Sequence, residues 1–135
     1  MGLFQTRQNL SRILFFEELY RQIININGII IEFGVRWGQN LAVLQNLRGA
    51  LEPFNHTRKI VGFDTFSGFP SVNEKDGRSK LAKIGKYSVS KDYAVFLEKL
   101  LQCHENESPI SHLKKFELVV GDASKTFPSY LANHP

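Results

Sequence analysis

Three acidic residues each close a short apolar run, and they are the side chains whose types and spacing could do chemistry. They are Glu32, Asp64 and Asp122, and Ile, Val, Leu and Phe dominate the residues before each of them. Carboxylates in such positions can bind a metal ion, accept hydrogen bonds from the hydroxyl or amine groups of a ligand, or cap the helices that follow. The acids alone leave these three chemistries open.

The segment around Glu32 indicates a strand, a glycine turn and a helix in succession. Residues 29–31 are three isoleucines without polar alternation, which is typical of a parallel strand covered on both faces. Gly34 and Gly38 bracket a turn in which the backbone can bend sharply or approach a ligand, because no Cβ atom is in the way. Leucines at helical spacing follow, so the free N–H groups of this helix face the carboxyl edge of the strand, where open α/β sheets bind ligands.

Two further strands are predicted, over residues 59–63 and 116–120. A strand, a helix and a second strand in this order imply a right-handed crossover and parallel pairing. The expected fold class is therefore α/β, with a parallel sheet of three strands and helices on both faces. This arrangement places Glu32, Asp64 and Asp122 along one rim of the sheet.

The remaining helices are predicted from apolar stripes and capping residues. Residues 1–9 are expected to be a loose lead-in, and Ser11 is the expected N-cap of a helix that covers the sheet. The alternative is that the aromatic residues of this helix also close over a ligand. Ser90 is the expected N-cap of a later helix, and another begins at Ser124. Residues 71–89 are polar and basic, and a segment this long is typical of a lid or a flexible insertion.

The composition predicts one folded domain, or part of one, because 42% of the 135 residues are hydrophobic and 12% are aromatic. The 17 lysines and arginines are scattered among 13 acids, which disfavours a nucleic-acid partner. Cys103 is the one cysteine, so an internal disulfide is excluded and a reducing compartment is compatible. No apolar run approaches the roughly 20 residues that span a bilayer, and a signal peptide's apolar region is lacking. We therefore expect a cytoplasmic protein without a membrane partner.

Metal and dinucleotide chemistry are both disfavoured by the residues near the acids. The three acids come from separate strand ends and no histidine stands at ligand spacing beside them, so no metal site is expected in this chain. A dinucleotide site expects the pattern G-x-G-x-x-G at the start of the helix. The turn from Gly34 to Gly38 instead places Arg36 where a glycine would admit the pyrophosphate.

The strand ends taken together resemble the cofactor site of class I methyltransferases that use S-adenosylmethionine. Residues 32–40, EFGVRWGQN, and 63–70, FDTFSGFP, are similar to E-x-G-V-x-x-G-x-S and F-D-S-F-x-G-L-P of the macrocin and mycinamicin sugar O-methyltransferase family. The matched blocks cover residues 28–40, 60–70 and 117–124. The resemblance implies a Rossmann-like methyltransferase fold, of which this chain holds the first three strands.

The resemblance implies which residues hold the methionine portion of S-adenosylmethionine. They are Glu32 and the turn from Gly34 to Gly38, with Val35 inside that turn. Arg36 and Asn40 depart from the small residues common in the family, and Arg36 could pair with the carboxylate of the cofactor.

The resemblance also implies which residues hold the nucleoside portion. Asp64 would accept hydrogen bonds from the ribose hydroxyls, because a carboxylate offers acceptors to two neighbouring donors. Phe66 would pack on the adenine or the ribose. Asp122 and Ala123 would lie against the adenine, with Asp122 accepting from its amino group.

The family transfers a methyl group to a sugar hydroxyl, which needs a base and close alignment of oxygen, carbon and sulfur. Its members also use a divalent cation, Mg²⁺, and the aspartates involved come from a D-x-D-x-Y block after a fourth strand. No such block occurs in these residues, so the catalytic residues are expected after Pro135 and this chain alone is expected to be inactive. We expect residues 1–27 to be a helical cover and 28–135 the N-terminal half of a truncated cofactor domain. Its unpaired sheet edge predicts a homo-oligomer.

Three functions remain as hypotheses. The first is the cofactor-binding half of an S-adenosylmethionine-dependent O-methyltransferase that acts on a sugar or a glycosylated small molecule. The second is a non-catalytic α/β interaction module that has kept the sheet and lost the chemistry. The third is a nucleotide- or dinucleotide-binding domain.

Overall fold

The computed structural model describes residues 2–68, 89–90 and 92–134. Most of the polar segment predicted over residues 71–89 therefore lies outside the described residues. A short 3₁₀ helix at Gly2–Phe4 comes first, and four helices and three strands follow in chain order: α1 (Arg7–Ile23), β1 (Ile30–Phe33), α2 (Gln39–Leu51), β2 (Ile60–Asp64), α3 (Tyr93–Asn106), β3 (Phe116–Val120) and α4 (Ala123–Asn133).

The three strands form one parallel sheet in the order β1-β2-β3, as predicted. Ile60 of β2 lies opposite Ile30 of β1 and Phe116 of β3. The expectation that β1 is covered on both faces is wrong in this structure, because its residues are half-buried and Phe33 is 54% exposed. Within the described part of the chain β1 has a neighbouring strand on one side, whereas β2 lies between two strands and carries the buried core.

Helices pack on both faces of the sheet, because alternate residues of β2 point to opposite sides. On one face α2 and α3 enclose an apolar cluster of Val35, Leu41, Ile60, Leu97, Leu101 and Phe116. On the other face α4 covers a second cluster of Val61, Phe63 and Tyr130. The α/β class with helices on both faces is therefore confirmed.

Two predicted helix starts are wrong. The chain before Ser11 is not a loose lead-in, because α1 begins at Arg7 and the hydroxyl of Thr6 accepts a hydrogen bond from the Asn9 N–H. A threonine at this position caps the helix one turn earlier than Ser11 would. The later helix α3 has Asp92 at its N-cap with φ +66°, and Ser90 contributes its carbonyl oxygen to the Tyr93 N–H.

Helix α1 is fastened to the rest of the chain mainly at its C-terminal end. The buried guanidinium of Arg58 donates hydrogen bonds to the carbonyl oxygens of Ile23, Ile24, Ile26 and Gly28. It also pairs with Glu52 at 2.7 Å, and Glu52 accepts a hydrogen bond from Tyr20. Arg58 therefore binds carbonyl groups at and just beyond the end of α1, where the last helical carbonyls have no intrahelical partners. None of the helices in the described ranges has the length and apolar character needed to cross a membrane.

Candidate functional site

The carboxyl ends of the three strands meet at one edge of the sheet. The Gly34 N–H donates to the Phe63 carbonyl at 2.9 Å, and the Gly121 N–H donates to the Asp64 carbonyl at the same distance. These bonds carry the parallel pairing one residue beyond the strands. They place the residues that follow β1, β2 and β3 side by side, as the sequence predicts.

Glu32 is the most unusual acid at this edge. Its Oε1 accepts a hydrogen bond from Asn40 Nδ2 at 2.7 Å, whereas its Oε2 is buried without a hydrogen-bond partner in the described structure. Burial raises the pKa of the Glu32 carboxyl above its ordinary value, although the Asn40 hydrogen bond and the charge of Arg12 act in the opposite direction. A buried acceptor without a donor is costly, so Glu32 Oε2 is an atom that a cationic donor would satisfy.

The other side of Asn40 contacts helix α1. Arg12 Nη2 donates to Asn40 Oδ1, so a chain of hydrogen bonds runs from the guanidinium through the carboxamide to Glu32. The sequence offered no signal for this contact, because Arg12 and Asn40 are 28 residues apart.

The turn between Gly34 and Gly38 has three residues at positive φ: Gly34 (+80°), Arg36 (+51°) and Gly38 (+71°). A Cβ at Gly34 would meet open space, but a Cβ at Gly38 would lie 2.3 Å from a methyl carbon of Leu97. Gly38 is therefore needed for close packing of α3 as well as for its backbone conformation. The Val35 side chain is buried in the core cluster, which anchors the turn to the sheet.

Asp64 connects the turn after β1 to the loop after β2. Its Oδ2 accepts from the Arg36 N–H at 2.6 Å, and its Oδ1 accepts from the Phe66 N–H at 2.7 Å. A carboxylate has about four acceptor positions, so lone pairs remain on both oxygens. The Phe66 side chain is half-buried against the core cluster.

Asp122 caps helix α4. Its Oδ1 accepts from the Ser124 N–H at 2.9 Å and from the Ser124 hydroxyl at 2.8 Å, and these hydrogen bonds lower the pKa of the carboxyl. Ala123 packs against the cluster under α4. Capping, one of the chemistries that the sequence left open, is therefore present at Asp122.

A pocket of about 230 Å³ opens beside the turn. It is lined by Arg12, Glu32, Gly34, Val35, Arg36, Trp37, Gln39 and Asn40. Five of these residues belong to the predicted site, whereas Gly38, Asp64, Phe66, Asp122 and Ala123 do not line this pocket. Trp37 and Gln39 lie inside the matched segment and could have been included from the sequence, but Arg12 could not.

A second, apolar groove of about 490 Å³ lies between α1 and β1, and Glu32 and Asn40 line both cavities. Across the described residues no group of three or more His, Cys, Asp or Glu side chains is arranged to hold a metal ion. The divalent cation implied for the family therefore gains no support from this part of the chain.

Comparison with known proteins gives a match among solved structures. No protein-family model matches the chain, and no curated protein matches it. A crystal structure of CalS11, calicheamicin methyltransferase, has 41% sequence identity and a TM-score of 0.95 over 99% of this chain and 52% of its own. An apo structure of CalS11, TDP-rhamnose 3′-O-methyltransferase, an enzyme in calicheamicin biosynthesis, has 36% identity and a TM-score of 0.79 over 99% and 50%.

The resemblance to sugar O-methyltransferases is confirmed. The Rossmann-like methyltransferase fold expected from the matched segments is confirmed with it. The chain spans about half the length of the methyltransferase chains that it matches. Because the match covers 99% of this chain, it includes the residues at the strand ends, in the glycine turn and around the pocket.

Proposed function

We propose that this chain binds S-adenosylmethionine at the strand ends and that the protein methylates a hydroxyl group of a sugar or a glycosylated small molecule. The observation that carries the proposal is the buried, unpartnered Oε2 of Glu32 beside the glycine-turn pocket. The amino group of the cofactor is a cationic donor of the kind that this oxygen lacks. The match to a TDP-rhamnose 3′-O-methyltransferase supports the acceptor class.

The residues at the strand ends suit the separate parts of this cofactor. Glu32 would take the ammonium group, and the backbone of the turn after Gly34 would lie against the methionine portion. Asp64 has acceptor positions left for the two ribose hydroxyls after it has bound the Arg36 and Phe66 N–H groups. Phe66 remains the candidate for packing on the adenine or the ribose, and Asp122 and Ala123 remain the candidates for contact with the adenine.

When bound, the cofactor supplies a methyl group that its sulfonium activates toward a nucleophilic oxygen. The residues of this chain contribute binding and orientation. Asp64 fixes the turn after β1 through the Arg36 N–H, and Asn40 holds one oxygen of Glu32 in place. Such fixed positions matter because methyl transfer requires the reacting atoms to be aligned within a short distance.

Isothermal titration of the chain with S-adenosylhomocysteine tests the binding part of this proposal. NAD⁺ is the matched probe for the dinucleotide alternative, since it also carries an adenosine but has a pyrophosphate. We expect saturable binding of S-adenosylhomocysteine and much weaker binding of NAD⁺. No heat and no thermal shift with S-adenosylhomocysteine at millimolar concentration, in a folded sample, would overturn the proposal.

A further inference from the structure

Helix α1 contributes a charged side chain to the pocket. The guanidinium of Arg12 lines the pocket together with Glu32, although the two residues belong to different elements. Its contacts in the described residues are the hydrogen bond to Asn40 Oδ1 and the ring of Phe16, 6.0 Å from the guanidinium carbon. Arg12 forms no ion pair with a carboxylate in that part of the chain.

The carboxamide of Asn40 lies between two side chains of opposite charge, Arg12 and Glu32. Its oxygen accepts from Arg12 and its nitrogen donates to Glu32. The pocket thus has a cation at one end of this arrangement and a carboxylate at the other. An α-amino acid group carries an ammonium and a carboxylate only a few bonds apart, so it presents the complementary pair of charges.

We propose that Arg12 binds the carboxylate of the amino-acid portion of the cofactor, while Glu32 takes the ammonium group and Asn40 holds both side chains in position. The inference rests on the proposed function and makes α1 a part of the binding site as well as a cover for the sheet. A guanidinium is suited to this role because its donors form a planar fork that matches a carboxylate. Arg12 uses one of its N–H donors for Asn40, and its other donors remain for a ligand.

The location of Arg12 favours this role over a structural one. The side chain is exposed, and α1 is fastened at its other end by Arg58 and Tyr20. Loss of the Arg12 guanidinium therefore leaves the anchoring contacts of the helix in place. Arg36 is the competing candidate for the carboxylate, because it lines the same pocket. Its guanidinium carbon lies 5.8 Å from the Trp37 ring centroid.

The test uses two ligands that differ in the amino-acid portion. S-adenosylhomocysteine contains it, and 5′-methylthioadenosine lacks it. For Arg12→Met we expect the affinity for S-adenosylhomocysteine to fall by about tenfold or more. The affinity for 5′-methylthioadenosine should stay within about twofold. Arg12→Lys should recover part of the loss, because an ammonium keeps the charge but not the fork.

Arg21→Met is the matched control, since Arg21 lies on the same helix, pairs with Glu17 and does not line the pocket. It should bind both ligands as the unchanged chain does. Equal losses for both ligands in Arg12→Met would show that the residue only places α1, and no loss for either ligand would leave the role to Arg36; each result overturns the inference. Failure of the unchanged chain to bind either ligand would instead overturn the proposed function, and this inference with it.

Discussion

The backbone N–H of Arg36 donates a hydrogen bond to Oδ2 of Asp64 at 2.6 Å, which ties the turn after β1 to the end of β2. The other carboxylate oxygen accepts from the N–H of Phe66. Arg36 and Phe66 both have positive φ, a backbone conformation that residues other than glycine rarely adopt. Asp64 therefore supports two strained backbone positions and still offers lone pairs toward the proposed ribose site.

Replacing Asp64 should affect ligand binding and stability together. Asp64→Ala removes the acceptor for both N–H groups and for the ribose hydroxyls. Since hydrogen bonds to charged groups contribute about 1.5–3 kcal/mol, we expect a loss of about tenfold to a hundredfold in affinity for S-adenosylhomocysteine, measured by titration. Glu98→Ala on the exposed side of α3 is the control and should bind normally. Unchanged affinity in Asp64→Ala would refute the ribose assignment.

Glu32 should show a conflict between stability and binding. Glu32→Gln removes a buried charge whose Oε2 has no partner in the described residues, yet keeps an oxygen that can accept from Asn40. We expect the Tm of the ligand-free variant to be equal to or above that of the unchanged chain, because the desolvation cost of the charge is lost. Its affinity for S-adenosylhomocysteine should fall by about tenfold or more. A lower Tm together with normal binding would contradict both expectations.

The two glycines of the turn should respond differently to a methyl group. Gly34→Ala should cost about 1–2 kcal/mol of unfolding free energy, because only its positive φ is unfavourable for alanine. Gly38→Ala should cost more, since its Cβ would also overlap the side chain of Leu97. Urea denaturation of the two variants measures the difference. Equal destabilisation would mean that Leu97 moves away without cost.

Arg48 of α2, Glu105 of α3 and Lys115 form a buried ion cluster. Loss of a charge from this cluster should destabilise the fold far more than loss of a charge from a surface ion pair. Glu105 is fully buried and pairs with Arg48 at 2.8 Å and with Lys115 at 2.6 Å. Glu105→Gln leaves two buried cations without a counter-charge, so we expect a loss of about 3–5 kcal/mol in unfolding free energy. Glu98→Gln, which breaks the exposed pair with Lys114, should cost less than about 1 kcal/mol. Similar losses in the two variants would contradict the burial argument.

Acid should destabilise the chain through Glu52. Burial alone would raise the pKa of this carboxyl, but hydrogen bonds from Arg58, Tyr20 and Asn55 outweigh burial and lower the pKa from 4.5 to about 2. The folded chain therefore binds the proton more weakly than the unfolded chain does, and the stabilisation is complete above pH 4.5. It is lost as the pH falls from about 4.5 toward about 2. Unfolding free energies measured by urea across this range should fall more steeply for the unchanged chain than for Glu52→Gln; parallel curves would exclude this role.

Local sequence patterns predicted the strands and the strand-end acids well. β2 and β3 lie within one residue of the predicted ranges, because apolar runs bounded by polar residues have few alternatives. The predicted N-cap of α1 is wrong because Thr6 and Ser11 are both acceptable caps, and residue type alone does not decide between them. Arg12 was missed for a different reason. Its contact with Asn40 depends on how α1 docks, which no spacing in the sequence records.

The carbonyl groups that accept hydrogen bonds from Arg58 belong to residues that are synthesised well before it. During synthesis from the N-terminus, α1 can form as soon as its residues are available, but Arg58 and Glu52 follow about 30 residues later. Until then the hydrogen bonds from Arg58 to these carbonyl groups cannot form, and Tyr20 lacks its carboxylate partner. Docking of the C-terminal end of α1 is therefore completed only after Arg58, just before β2, has emerged, whereas Asn40, the partner of Arg12, emerges earlier.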